Sequence, residues 1–329
     1  MRQNLPLTRR TLVQSAGLLA LASFAPLRAW SQPVSRIVVP FPAGASNDAV
    51  GRLVADALGR KLGRSWIVEN RPGAGSMLGT QAVVQSKPTD GNTLLLCATA
   101  SMGILPAISK AVRYSVERDF TFIARIATTP FTLTVGNAFP ANTFAEFVKL
   151  AKAKPDSIRI GASGVGSLDY MGAAMLQQQL GIDLNIIPYK GMSPVLNDLQ
   201  GGHLDASIVS PGSIRALAQE GKAKVLAVLD ERRSDLLPQV PTSTELGHPK
   251  LRVVNWFGIA GPAGMPADST ETLRRALGEI LADPAFLKSL KDKGVEPAPL
   301  VGAEFASFVQ ADSQGWRALA QQANITTNE

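Results

Sequence analysis

The sequence predicts an α/β fold, and three observations carry the prediction. From Ser35 onward, short β-branched runs alternate with stretches in which apolar residues recur every three or four positions. The segments between them are built from Gly, Pro, Asn and Asp, the residues of turns. At 329 residues and 45% hydrophobic, the chain is also large and apolar enough to build about two cores. Such alternation is the pattern of a mostly parallel sheet covered on both faces by helices.

Taken in order, the first strand is predicted over 37–39, followed by a helix over 48–61 whose Val50, Leu53, Val54, Ala57 and Leu58 share one face. A strand over 66–68 ends in the turn residues Glu69-Asn70-Arg71-Pro72-Gly73-Ala74-Gly75; a short helix over 78–85 follows, then, behind Pro88, Asp90 and Gly91, a strand over 93–98. The middle third repeats the theme. Strand 131–135, helix 143–154 stopped by Pro155, strand 158–160 and helix 170–180 closed by Gly181 come first. A strand at 186–187, helix 194–200 stopped by Gly201-Gly202, strand 206–209, helix 214–220 and strand 225–229 come next. A Pro-rich connection over 238–249 leads to a strand over 253–259, and helices over 269–281, 284–293 and 303–324 complete the chain.

Residues 1–31 read as an export signal: basic residues, an apolar stretch over 16–25, then Ala29 and Ser31 at the −3 and −1 positions of a cut. Arg9-Arg10 within Thr8-Arg9-Arg10-Thr11-Leu12-Val13 resembles the twin-arginine signal, so the periplasm is the expected location. That segment carries four Arg and no acid, so the formal charge falls from +7 to +3 once it is removed. So small a surplus, with 6% aromatic residues, gives no case for nucleic acid or a membrane surface as partner. The single Cys97, in an apolar run, reads as a buried strand thiol, and His203 and His248 stand outside any cluster with ligand spacing. No metal and no cofactor are expected, and the chain is expected to act as a soluble monomer.

Chemistry is concentrated in two strand-to-helix turns, Pro40-Phe41-Pro42-Ala43-Gly44-Ala45-Ser46-Asn47-Asp48 and Gly161-Ala162-Ser163-Gly164-Val165-Gly166-Ser167-Leu168-Asp169. Small residues there let backbone N–H groups face outward at a helix N-terminus, where unpaired donors and the positive dipole end favour an anion. The same turns also serve any α/β protein as tight corners. Neither is followed by Gly-Lys-Ser/Thr, and the second lacks the last Gly of the dinucleotide fingerprint, so a nucleotide is not expected. Ser163, Asp205 and His248 occur in the chain order of an α/β-hydrolase triad, but Val165 stands where Gly-x-Ser-x-Gly needs glycine.

With these residues laid out, the chain resembles the Bug family, the periplasmic substrate-binding receptors of tripartite tricarboxylate transporters. The resemblance rests on Phe41-Pro42-Ala43-Gly44 with Asp48, the 69–75 turn, Asp90-Gly91, the 163–167 turn, Pro188-Tyr189-Lys190-Gly191, Gly201-Gly202 with Asp205, Pro241-Thr242 with Glu245 and Gly247, and Trp256 followed by Gly261-Pro262-Ala263-Gly264-Met265-Pro266. It implies a two-lobed clamshell of mostly parallel sheets, with 32–130 and 251–329 in one lobe and 131–250 in the other. It further implies a small organic carboxylate held between the two turns, integral-membrane transporter subunits as partners, and no catalysis. Phe41, Pro42, Ala43, Gly44, Ala45, Asn47 and Asp48 from the first turn and Ser163, Gly164, Gly166 and Ser167 from the second are then ligand-binding residues. Tyr170, Tyr189, Lys190, Gly191, Asp205, Thr99 and Ser101 are expected beside the cleft. Ala45, Ser76 and Tyr170 depart from residues common in the family, Gly at the first two and His at the third.

Overall fold

The computed structural model describes residues 34–327. The predicted export signal lies outside the described residues. β1 (Ser35–Val39) alternates between the two faces of its sheet: Ile37 and Val39 join one apolar core and Val38 the other. β3 (Thr93–Ala98) does the same, with Leu94 and Leu96 on the first face and Leu95 and Cys97 on the second. This is the period-two consequence of a strand covered on both sides. α1 (Ser46–Leu62), α8 (Ala267–Leu281) and α9 (Pro284–Asp292) cover the first face, and Phe305 and Val309 of α10 (Ala303–Gln322) cover the second. Each buried Leu or Phe contributes about 1.5–3 kcal/mol relative to exposure.

The remaining strands of this sheet are β2 (Trp66–Asn70), β4 (Phe120–Pro130), β10 (Val254–Pro262) and β11 (Glu296–Val301), in the order β11-β4-β10-β3-β1-β2. The second sheet has the order β7-β6-β8-β5-β9, from β5 (Thr132–Gly136), β6 (Arg159–Ala162), β7 (Asn185–Pro188), β8 (Ala206–Val209) and β9 (Ala223–Val228). Its helices are α4 (Phe144–Ala153), α5 (Leu168–Leu180), α6 (Met192–Gln200) and α7 (Pro211–Gln219). α4 starts where Thr143 and Glu146 form a reciprocal capping box, and α5 where the Ser167 hydroxyl accepts from the Tyr170 amide. Each sheet with its helices is one lobe. The short α2 (Met77–Val84) and α3 (Leu105–Ile108) belong with the first sheet; a single π-helical turn over Ala100–Ile104 precedes α3.

The expectation of mostly parallel sheets needs correcting. Four of the nine strand pairings are parallel and five antiparallel. The antiparallel pairings all involve β4, β5 or β10, the strands on either side of the lobe crossings. β4 passes into β5 through Phe131 alone, so the second lobe is entered without a helical crossover. At this hinge three segments bond in a ring: Phe131 N–H donates to Val253 O, Val253 N–H to Leu229 O and Leu229 N–H to Phe131 O, each at 2.8 Å. A further apolar cluster spans the lobes, in which Met171 and Ala174 of α5 meet Ile104, Ile108, Trp316 and Leu319. Among the described residues no helix is long and apolar enough to cross a membrane.

Candidate ligand-binding cleft

Both glycine-bearing turns lie at the carboxyl ends of strands, β1 and β6, and open into α1 and α5. In an open α/β sheet this is where ligands are bound. In the first, Gly44 takes the left-handed conformation at φ +86°, while Ala45 sits at φ −76° as the residue before the helix, so its Cβ is unstrained there. Asp48 folds back on the turn: its Oδ2 accepts from Gly44 N–H at 3.0 Å and Arg52 Nε at 3.0 Å, and its Oδ1 from Asn70 Nδ2 at 2.9 Å. Burial raises the Asp48 carboxyl, but Arg52, the Gly44 amide and Asn70 together outweigh it and hold the group below its ordinary range. Asn70 Nδ2 also donates to Phe41 O at 3.2 Å, tying the 69–75 turn to the first.

The second turn repeats the device. Asp169, in the first turn of α5, accepts from both Ser163 N–H and Ser163 Oγ, the latter at 2.8 Å. Ser167 Oγ donates to Gly164 O at 2.7 Å. The amides of Gly164, Val165 and Gly166 find no acceptor among the described residues. They remain available to a ligand at the positive end of the α5 dipole.

A cavity of about 660 Å³ lies between the lobes. It brings together Phe41, Pro42 and Asn47 from the first turn with the whole run 163–169 from the second, so Ser163, Gly164, Gly166 and Ser167 line one space with them. No Lys or Arg lines it, and Asp169 is the one ionisable side chain in its wall among the described residues. Ala43, Gly44, Ala45 and Asp48 do not line it; they shape the turn behind it. Gly73–Ser76 and Ile108 add walls that sequence reasoning did not single out as ligand contacts, and Asn255 and Thr327 join them. The 69–75 turn was visible as turn chemistry, whereas Ile108, Asn255 and Thr327 carry no local signal.

The expected neighbours fare differently. Thr99 and Ser101 are fully buried and occupied: Thr99 Oγ1 donates to Val254 O at 3.2 Å and accepts from Trp256 N–H at 3.0 Å, while Ser101 Oγ bonds both polar groups of Ala98. Ala100, between them, reaches the cavity instead. Tyr170 packs against the interlobe cluster and is absent from the cavity wall. Tyr189 is turned to Asp198, to which its hydroxyl donates at 2.6 Å; that bond raises the phenol above its ordinary value. Gly191 donates its N–H to Ser163 O at 2.9 Å and thereby supports the second turn from behind; neither it nor Lys190 lines the cavity. Asp205 lies at the opposite end of the second sheet, about 10 Å of strand from the cleft, paired with Arg159 at 2.9 Å. Burial raises the Asp205 carboxyl but Arg159 more than offsets it, leaving the group below its usual range.

The hydrolase constellation is not assembled. Ser163 donates to Asp169, Asp205 holds Arg159, and the His248 ring lies tilted against Phe144 at 5.3 Å between centroids. Cys97 is fully buried in β3, where burial pushes its thiol well above the ordinary range.

A two-lobed α/β body with a cleft at the carboxyl ends of its strands is the architecture of periplasmic binding proteins. The family model described as tripartite tricarboxylate transporter family receptor matches residues 50–325. The chain belongs to this receptor family, whose members are periplasmic solute-binding proteins rather than enzymes. It is 29% identical to protein BugT of Bordetella pertussis over 301 residues, 91% of this chain and 92% of that protein. Among solved structures it is similar to a solute-binding protein from Polaromonas, at 30% identity and a TM-score of 0.77, covering 89% of this chain and 99% of the other. Two structures from Rhodopseudomonas palustris carry ligands. Rpa4515, solved with adipate, is 26% identical with a TM-score of 0.76 over 90% of this chain and 99% of its own. MatC, with bound malate, is 27% identical with a TM-score of 0.69 over 87% and 98%.

Proposed function

We propose that this chain clamps a small organic carboxylate between its lobes and presents it to the integral-membrane subunits of a tripartite tricarboxylate-type transporter. The observation that carries the reading is the donor set of the cleft. Seven consecutive residues leading into α5 share one cavity with Phe41, Pro42 and Asn47, and among the described residues no basic side chain takes part. An anion held there takes charge-assisted bonds from backbone amides, each worth about 1.5–3 kcal/mol. The three free amides of Gly164, Val165 and Gly166 supply about 5–9 kcal/mol before the ordering cost, against the roughly 8 kcal/mol of micromolar binding. The adipate and malate held by two relatives support the ligand class.

A ligand that touches both turns meets them together only when the lobes are closed, so it binds that state more tightly and shifts the population toward it. Residues 1–31 serve on this reading as a twin-arginine export signal, and the mature receptor works as a monomer. The test is a thermal-shift screen of the mature protein, refolded free of carried ligand, against succinate, malate, adipate, citrate, benzoate and their amides. A carboxylate at 100 times its Kd adds about 2.7 kcal/mol, a shift of a few degrees. Stabilisation by neutral amides alone, or by none of the set, overturns the reading.

A further inference from the structure

A second cavity, of about 370 Å³, lies beside the hinge, where Asp230 and Arg252 adjoin the ring residues Leu229 and Val253. Val254 and Trp256 of β10 line it, whereas Asn255 between them lines the cleft, so the two spaces lie on opposite faces of one strand. Three arginines reach this cavity: Arg125 from β4, Arg232 from the segment that leaves β9, and Arg252 from the segment that enters β10. Arg252 is engaged, pairing with Asp230 at 2.9 Å and Glu231 at 3.2 Å. Asp312, the third carboxylate of the wall, takes the indole N–H groups of Trp256 and Trp316. Arg125 and Arg232 form no ion pair among the described residues. The half-buried Arg125 donates Nε to Ala298 O at 2.7 Å and rests its guanidinium over the Phe308 ring, 4.4 Å from the centroid. Arg232 is exposed and its side chain makes no hydrogen bond among the described residues.

The donors of this wall are thus free while its acceptors are taken, and the free donors are guanidinium forks, whose geometry matches a carboxylate or a phosphate. The charge balance at Arg125 agrees. Burial, and then the like charges of Arg232 and Arg252, pull its guanidinium down to about 10, each arginine acting more strongly than the opposing Asp230 or Glu231. Arg125 stays protonated at neutral pH, a desolvated cation whose cost an anion in the cavity would offset. Phe308, Leu300 and Val254 make part of the wall apolar. We infer that this cavity is a second ligand site, for a small organic oxyanion, either a carboxylate or a phosphate ester, whose head group bonds Arg125 and Arg232 and whose apolar part lies against Phe308 and Leu300. The inference is independent of the carboxylate-receptor reading, since none of these residues lines the cleft.

The experiment is calorimetric titration of the mature protein with phenyl phosphate and, separately, with benzoate, repeated on Arg125→Gln, Arg232→Gln and Val165→Glu. At least one probe binds saturably to the wild type, and the probe that binds identifies the head group. Arg232→Gln weakens that binding about tenfold, equivalent to about 1.4 kcal/mol, and Arg125→Gln weakens it at least as much. Arg232→Gln removes no bond within the described fold and melts as the wild type does, so the loss is not one of folding. Val165, 52% exposed in the cleft wall, is replaced by a carboxylate that repels anions from the cleft; Val165→Glu leaves the binding unchanged and so separates this site from the cleft. No saturable binding of either probe, binding that survives both arginine substitutions, or binding lost in Val165→Glu overturns the inference.

Discussion

Gly166→Ala separates the two jobs of the second turn. Gly166 sits at φ +78°, and a Cβ there falls far inside van der Waals contact with Ile108 Cδ1. The two residues belong to different lobes, Gly166 to the turn after β6 and Ile108 to α3. The left-handed conformation costs an L-residue about 1–2 kcal/mol, and that strain stays in the turn however the lobes sit. Overpacking costs a further 1–3 kcal/mol, roughly, but only while the lobes are together, since separating them relieves it. The variant should therefore lose about 1–2 kcal/mol of folding stability in urea titration. It should also lose about 5–150-fold in affinity for whichever carboxylate stabilises the wild type, measured by calorimetry. Adding Ile108→Ala removes the obstacle, so the double variant recovers affinity relative to Gly166→Ala while its backbone strain persists, a coupling of about 0.5–3 kcal/mol. Additive affinity losses in the cycle, or undiminished binding by Gly166→Ala, would refute the steric argument.

Two further outcomes are expected. The half-buried Asp312 accepts from Trp256 Nε1 at 2.8 Å and Trp316 Nε1 at 3.0 Å, and desolvation of its carboxyl pushes it up to about 6 from an ordinary 3.8. The folded state thus binds more protons than the unfolded one between these values, so this group's contribution to stability rises as pH falls from 7 through 6 and levels off below the ordinary value. Asp312→Asn should shrink the change in urea midpoint between about pH 7 and pH 5, and an identical pH dependence in both proteins would refute the assignment. Ser163→Ala removes the hydroxyl bond to Asp169 and keeps the amide bond, costing about 1 kcal/mol of stability. Neither protein should cleave p-nitrophenyl acetate above the protein-free background, and a rate dependent on Ser163 would restore the hydrolase alternative.

The two turns were legible in the sequence because their signal is local: a β-branched run, small residues, then apolar positions at helical spacing. What escaped was non-local. β4 is buried on both faces with no alternation to read, and its partner β10 lies over a hundred residues away. β11 contains two prolines and reads as a connection, yet it occupies the sheet edge, where a strand tolerates them. The same limit applies to the site. Thr99 and Ser101 have the residue types of ligand contacts, but Thr99 braces β3 against β10 and Ser101 caps the end of β3. Nothing local shows whether a hydroxyl faces a ligand or a neighbouring amide. Ser76 could be noticed only as a departure from glycine; its positive φ and its unpaired oxygen became visible in three dimensions.

That no basic side chain lines the cleft among the described residues is consistent with binding an anion, because fixed geometry takes the place of charge. A lysine or arginine in the cavity would lose up to about 2 kcal/mol of rotamer entropy when it closes on an anion. The amides of Gly164, Val165 and Gly166 lose none, since Asp169, Ser167 and Gly191 already bond their loop from three sides. The first turn is pinned as firmly, with Asp48 drawing on Gly44, Arg52 and Asn70 at once. Donors aimed before the ligand arrives need no reorganisation. Backbone donors also survive substitution of the side chains around them. On the proposed reading the backbone holds the carboxylate, so side chains of the wall such as Asn47 and Asn255 can change without loosening that hold.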